Sequence, residues 1–380
     1  MKFLKTKIKK LVCVIFLFLF GVSIYFQSEI VLRKKISQML IVGFNGTVLT
    51  KDNPIYDDIL KERVSGVIIF SKDSSKLQNV DGKADTTKNV TSPEQLKNLI
   101  EDMQKISKQK LFFAIDEEGG QISRLPKKYG FDVETLSHQK LGKLNDTQTT
   151  YNEAKKIAKT LKFLGINFNF APCVDLSLNE ISKVIYKKER SFSRNPQVVV
   201  AHAKEFIKAH REENILTSIK HFPGHGSVSA DTHKGFVDAT QNWQEIELEP
   251  YKTLINENFV DSIMISHIYN SNFDKKFPSS LSYNTIQKLL KEKLNYQGLV
   301  VTDDLQMNAI TSNYDFETSI VNAINAGSDI VILGNNLKYN PNAAKEFNDT
   351  VYYAVKKGKI KRSQINKSHK KIMQIKKKLS

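Results

Sequence analysis

The chain has 380 residues, 40% of them hydrophobic, with a formal charge of +17 at pH 7 and two cysteines. That suits one large domain or two ordinary ones. Two cysteines supply no disulfide framework and no zinc-ligand spacing, so Cys173 reads as a small buried apolar residue. No nucleic-acid-binding motif accompanies the lysines, which leaves a Lys-rich solvated surface, or attraction to an anionic membrane or cell-wall polymer, as the meaning of the charge.

Lys2, Lys5, Lys7, Lys9 and Lys10 precede an uncharged run from Leu11 to Phe26. This is the layout of a signal peptide or signal anchor. The run is a little short of the ~20 residues that span a bilayer comfortably. Gly21-Val22-Ser23 is a weak cleavage site because apolar Ile24-Tyr25-Phe26 follows it. An uncleaved anchor is therefore expected over residues 1–29, with a folded domain over 30–380. Cytoplasmic retention of the positive end puts that domain outside the cytoplasm, in the cell envelope.

After the anchor, short Val/Ile/Phe-rich runs alternate with amphipathic stretches. Strands are predicted at 39–44, 66–70, 111–115, 167–171, 217–220, 262–265, 298–302 and 329–333. Helices are predicted at 93–108, 151–164, 196–213, 243–256, 283–294 and 315–326. Near-continuous apolar strands separated by helices indicate a parallel sheet covered on both faces. Eight such units suit a single closed (β/α)8 TIM-type barrel. An open doubly wound sheet would carry a glycine-rich phosphate loop after its first strand, and Asn45-Gly46-Thr47 does not fit one. Residues 71–92 read as a polar surface insertion. The tail from 356 to 380 reads as a basic helix whose Ile360, Ile365, Ile372 and Ile375 pack on the barrel; contact with a membrane surface is its less favoured reading.

A barrel places its chemistry at the C-terminal ends of its strands. Five predicted strands run directly into ionisable residues: Asp116-Glu117-Glu118, Asp175, the Lys220–His233 loop, Ser266-His267 and Asp303-Asp304. In the Lys220–His233 loop, a cation, three imidazoles and a carboxylate lie among Pro223, Gly224 and Gly226, so it is a loop and not a helix. A metal site built from His221, His225 and His233 would need the helix that Pro223 and Gly224 break, so no metal is expected. No Gly-x-Ser-x-Gly elbow provides a serine nucleophile. Asp231, two residues from His233, can fix its tautomer and raise its pKa, making a general acid/base usable near neutrality. Asp303, following a buried strand, can attack an electrophilic carbon such as sugar C1, with Asp304 left to cap the next helix. Asp116, Arg124, Arg190, Lys220 and His221 form a set suited to sugar hydroxyls, although any one of them could be a structural ion pair.

These residues resemble a family. Lys220-His-Phe-Pro-Gly-His-Gly with Asp231-Thr-His233 is similar to the signature of the β-N-acetylhexosaminidase branch of glycoside hydrolase family 3. Asp116-Glu-Glu-Gly-Gly-Gln-Ile-Ser-Arg124 resembles its Asp-x-Glu-Gly-Gly-x-x-x-Arg segment. Asn169–Asp175, Arg190-Ser-Phe-Ser and Val301-Thr-Asp303-Asp-Leu-Gln-Met resemble three further blocks, in the family's order, from about Lys34 to Leu333. The resemblance implies a TIM barrel without a second carboxy-terminal sandwich domain, and a retaining exo-β-N-acetylglucosaminidase acting on peptidoglycan fragments or chitin-like oligosaccharides without a cofactor. It implies Asp303 as nucleophile, His233 as acid/base oriented by Asp231, and Asp116, Arg124, Arg190, Lys220 and His221 as holders of the N-acetylglucosamine ring. The chain departs from the pattern in the long 71–92 insertion and in Ser227-Val-Ser-Ala230, which lacks a common Asp-Thr. Two other readings stay open: a different β-glycosidase or a glycoside phosphorylase, and a sugar-binding envelope protein with a dead site.

Overall fold

The structure is a computed structural model describing residues 27–77 and 86–379. The anchor expected in the first residues lies outside the described residues, apart from its end in helix α1 (27–37), which crosses the expected boundary at residue 29. No helix among the described residues is long and apolar enough to cross a membrane.

Eight strands close into a barrel in sequence order, every neighbour parallel: β1 (Leu40–Gly43), β2 (Gly66–Ile69), β3 (Phe112–Ile115), β4 (Phe168–Asn169), β5 (Leu216–Phe222), β6 (Ser262–Ile265), β7 (Leu299–Asp304) and β8 (Ile330–Leu333). All eight fall on the predicted runs. They are apolar because helices cover the outside and side chains fill the inside, so both faces are buried. Gly66 shows how tightly the strands meet: a Cβ there would come within 2.2 Å of the Phe112 carbonyl oxygen on β3.

The covering helices start where the sequence punctuates them. In α4 (Pro93–Ile106), Ser92 caps the Gln95 amide and Pro93 takes the first turn; in α7 (Pro196–Arg211), Asn195 and Pro196 do the same. A proline is harmless there because its missing N–H would have had no partner. α6 (Thr147–Leu164) begins four residues before the prediction, at the Asp146 cap. The 243–256 prediction resolves into a 3-10 turn, Glu245–Leu248, followed by α8 (Glu249–Asn256). Pro250 is tolerated only in a first turn, and that fixes where α8 starts. The 283–294 segment is a π-helix, Asn284–Lys293. Helix α10 (Phe316–Ala326) ends at Gly327 in the left-handed region.

The 71–92 segment is not simply a surface insertion. Its stems join through an antiparallel bridge between Lys72 and Thr87, and Asp73, Lys88 and Asn89 are buried. Asn89 accepts from the Phe70 amide and donates to the Phe44 carbonyl. A polar side chain that completes backbone hydrogen bonds at the barrel rim is stably buried. After α11 (Ala343–Lys356), the basic tail forms α12 (Arg362–Lys376), which lies across the opposite end of the barrel. Lys376 donates to Gln38 and to the Ser65 carbonyl, Lys371 to the Gly298 carbonyl, and Ser368 to Asp329, all just before strands.

Candidate active site

The C-terminal strand ends converge as expected. Two strands carry register shifts there, β5 between Ile219 and Phe222 and β7 between Val301 and Asp304. Such irregularities re-aim side chains next to active sites. Here they fall on Lys220-His221 and on Asp303.

One wall of the site is a chain of alternating charges. Lys220 Nζ, buried, lies 2.6 Å from Asp116 Oδ1 and 2.8 Å from Glu118 Oε1. Arg190 reaches the same Glu118 in a fork, Nε to Oε2 at 2.9 Å and Nη2 to Oε1 at 2.7 Å. Arg190 Nη2 also lies 3.1 Å from His221 Nε2, and His221 Nδ1 lies 2.7 Å from Asp175 Oδ2. At the outer end, Arg124 Nη2 is 3.8 Å from Asp116 Oδ2. Buried charges persist only when paired in this way. Burial alone would raise the Glu118 carboxyl, but the Arg190 and Lys220 cations hold it well below the usual range. Burial likewise opposes charge on Lys220, and Asp116 and Glu118 outweigh it and raise its pKa. Asp175 is held at about 2, chiefly by His221 against the cost of burial, and it also accepts from the His225 amide at 2.8 Å.

The expected acid/base and nucleophile lie at the mouth. His233 Nδ1 is 2.8 Å from Asp231 Oδ1, which also accepts from the His233 amide at 2.9 Å. Burial would lower the imidazole, but Asp231 and the Asp303 carboxylate raise it. Asp231 falls to about 2, mainly through the His233 hydrogen bond. Asp303 is also held at about 2: burial alone would raise it, but His267, His221, His233 and the Asp304 amide draw it down. It is therefore an ionised carboxylate at neutral pH.

Asp304 departs from its expected role. Helix α9 (Asn308–Thr311) is preceded by Met307 and has no side-chain cap. Asp304 instead accepts from the Gln306 amide at 3.0 Å and from the Gly334 amide beyond β8 at 2.9 Å. It closes the turn after β7 and ties it to β8, and burial raises its carboxyl to about 6.

Two adjoining cavities of about 200 and 150 Å³ share Asp116, Arg124, His233, Met264 and Asp303. The larger adds Glu118, Arg190, Lys220 and His221; the smaller adds Phe70, Met307, Ile332 and Leu337. Every expected site residue lines them except Asp231, which acts through His233. Both cavities combine charged and apolar lining residues, as small-ligand sites do.

Three supporting residues have roles that the sequence did not assign. Glu118 stands in the Asp-x-Glu segment, so its signal was present. His267 follows β6; its Nε2 lies 2.9 Å from the Asp304 carbonyl and Nδ1 2.7 Å from Ser280 Oγ, which steadies the turn bearing Asp303. Glu247 had no local signal. Buried under the histidine loop, it accepts from the Gly226 amide at 2.8 Å and the Ser227 hydroxyl at 2.6 Å.

The histidine triad weighed for metal is not what the fold assembles. Cys173, Asp175 and His221 come within 4.8 Å of one another instead. Their polar atoms already serve each other: Cys173 Sγ donates to Asp175 Oδ2 at 3.2 Å, His221 Nδ1 points at the same oxygen, and burial pushes the thiol well up, keeping its proton. The cluster acts as a hydrogen-bond brace for His221.

Comparisons with known proteins bear on the family and the fold. The family model described as "Glycosyl hydrolase family 3 N terminal domain" matches residues 31–375. A β-hexosaminidase of Hydrogenovibrio crunogenus is 31% identical over 288 residues, covering 73% of each chain. A glycoside hydrolase family 3 β-N-acetylglucosaminidase from Paenibacillus sp. superposes with a TM-score of 0.79 at 29% identity, covering 91% of this chain. This chain spans only 62% of that protein's length. A β-N-acetylhexosaminidase from Beutenbergia cavernae, matched at 22% identity with a TM-score of 0.78 over 91% of this chain and 98% of its own, shares the fold.

Proposed function

Because the chain belongs to glycosyl hydrolase family 3 and is a glycoside hydrolase, we propose that it is a retaining exo-β-N-acetylglucosaminidase that removes terminal β-linked N-acetylglucosamine from peptidoglycan fragments or chitin-like oligosaccharides. The observation that carries this reading is the pairing, across one cavity, of an ionised Asp303 with an imidazole whose Nδ1 is held by Asp231.

With Nδ1 committed to Asp231, Nε2 is the working nitrogen of His233. In the first step Asp303 attacks the anomeric carbon, the bond to the leaving oxygen breaks, and the Nε2 proton passes to that oxygen. In the second, water attacks the same carbon, its proton goes to Nε2, and the Asp303 carboxylate leaves, so configuration is retained. The raised pKa of His233 favours the acid form needed first. Asp116, Arg124, Arg190 and Lys220 orient the ring through directed hydrogen bonds to its hydroxyls. The apolar wall of Phe70, Met264 and Met307 beside Asp303 gives the acetamido methyl a place.

We also propose export, with Leu11–Phe26 as the membrane segment. It is tested by fractionation: full-length protein confined to the cytosol refutes it.

The deciding experiment is mass spectrometry of products from muropeptides and chitobiose, with and without phosphate. Free N-acetylglucosamine in both conditions is expected. Sugar 1-phosphate would assign a phosphorylase, and no turnover of any substrate or aryl N-acetylglucosaminide would assign a sugar-binding protein.

A further inference from the structure

The charge of the chain is concentrated at one place. Residues 356–380 contain eleven lysines and arginines and no aspartate or glutamate. Five of them belong to α12, which closes the end of the barrel opposite the active site, and the other six flank it. Ile365, Ser368, Ile372 and Lys376 face the barrel and are buried. Their spacing of three and four leaves the opposite stripe outward, and Lys367 and Lys370 are exposed on it, with Lys361, Arg362 and Lys378 exposed at its ends. The acidic groups nearby pair with other lysines of this tail and leave that stripe uncompensated: Glu29 with Lys356, Glu317 with Lys359 and Asp329 with Lys371.

The start of α1 lies on the same face. Arg362 Nη2 donates to the Ser28 carbonyl at 2.9 Å. Three apolar side chains are exposed on α1 and near the end of α11: Ile30 at 49%, Val31 at 45% and Tyr353 at 55%. In sequence, the uncharged Leu11–Phe26 run leads directly into α1.

We propose that this barrel floor, the outward stripe of α12 with the start of α1, is a docking surface for an anionic lipid bilayer that points the active-site mouth away from the membrane. Cations flanked by exposed apolar side chains match a negatively charged headgroup layer over hydrocarbon, where each finds its own solvent. A soluble polyanion would satisfy the lysines but leave Ile30, Val31 and Tyr353 in water. The surface acts whether or not the residues before 27 stay on the chain.

The test uses the full-length chain with vesicles of phosphatidylglycerol or of phosphatidylcholine. Lysines are acetylated with a membrane-impermeant reagent and mapped by mass spectrometry. In phosphatidylglycerol, acetylation of Lys361, Lys367, Lys370 and Lys378 should fall about fivefold, the factor given by one favourable cation–surface contact. Lys234 and Lys338, on loops at the mouth, should label equally in both lipids. Salt at about 1 M, where screening acts within about 3 Å, should restore labelling. The combined Lys367→Glu, Lys370→Glu and Lys378→Glu variant should lose the protection at Lys361 while turning over a soluble aryl glycoside as the parent does, which also reports that it folds. Equal labelling in the two lipids overturns the proposal. So does protection by soluble polyglycerol phosphate without protection by phosphatidylglycerol, which would assign the face to a wall polymer.

Discussion

Arg190 Nη2 sits 3.1 Å from Nε2 of His221. A guanidinium can only donate, so Nε2 accepts, and the His221 proton must be on Nδ1, facing Asp175. Both ring nitrogens are thereby engaged within the protein. His221 serves first as the link between the buried Asp175 and the Arg190–Glu118 fork; a sugar hydroxyl that approached Nε2 would compete with Arg190.

Glu118 holds the two cations Arg190 and Lys220 in place. Glu118→Gln should lose about 3–5 kcal/mol of stability, because the buried Arg190 loses its paired carboxylate and Lys220 keeps only Asp116. Urea midpoints measure this. The variant's KM for an aryl N-acetylglucosaminide should rise, while its pH–rate profile, set by His233 and Asp303, should keep its shape. An unchanged midpoint and KM would mean that Asp116 alone holds the pair.

His233→Ala should slow turnover by ~10²–10⁴-fold for substrates whose leaving group needs a proton. The loss should be much smaller for activated leaving groups such as dinitrophenolate, and a plot of rate against leaving-group pKa reports the difference. Asp231→Asn should give a weaker version of the same slope. Equal losses across leaving groups would make His233 structural.

A slow fluorinated glycoside should label one carboxylate, on the peptide carrying Asp303, with the modified residue located by fragmentation. Asp304 should remain unlabelled, because its carboxyl is spent on the Gln306 and Gly334 amides. Asp303→Ala should abolish turnover and leave the thermal transition in place. An active Asp303→Ala enzyme would overturn the assignment.

Glu247 is raised to about 7 by burial, above its ordinary value when unfolded. The native state therefore holds a proton that the unfolded state releases between these values. The stability this contributes is full below about 4.5 and is lost as pH rises through 7. The loss is on the order of 3 kcal/mol. Melting curves between pH 5 and 8 should fall more steeply for the parent than for Glu247→Gln, whose amide can still accept from Gly226 and donate to Ser227. Parallel curves would show that Glu247 is ionised throughout.

Sequence alone determined the barrel and the arrival of His233 and Asp303 at its mouth. Eight apolar runs with period and length suited to strands, separated by capped helices, leave few other ways to bury both faces. Asp231 and His233 are two residues apart, and Asp303 ends a strand, so local geometry was enough to bring each to the mouth. What the tertiary structure decided was which charges answer each other across the barrel. Glu118, Arg190 and Lys220 lie on three different loops and strands, and their pairing depends on strand register, which no local pattern encodes. Asp304 reads locally as a helix cap, but the Gly334 amide just beyond the neighbouring strand takes it. Glu247 reads as one more surface acid on an amphipathic stretch, and only the packing of that stretch beneath the histidine loop buries it. The placement of α12 was likewise non-local: its apolar positions showed that it would pack, while the strand ends it touches fixed that it closes the floor and turns its lysines away from the active site.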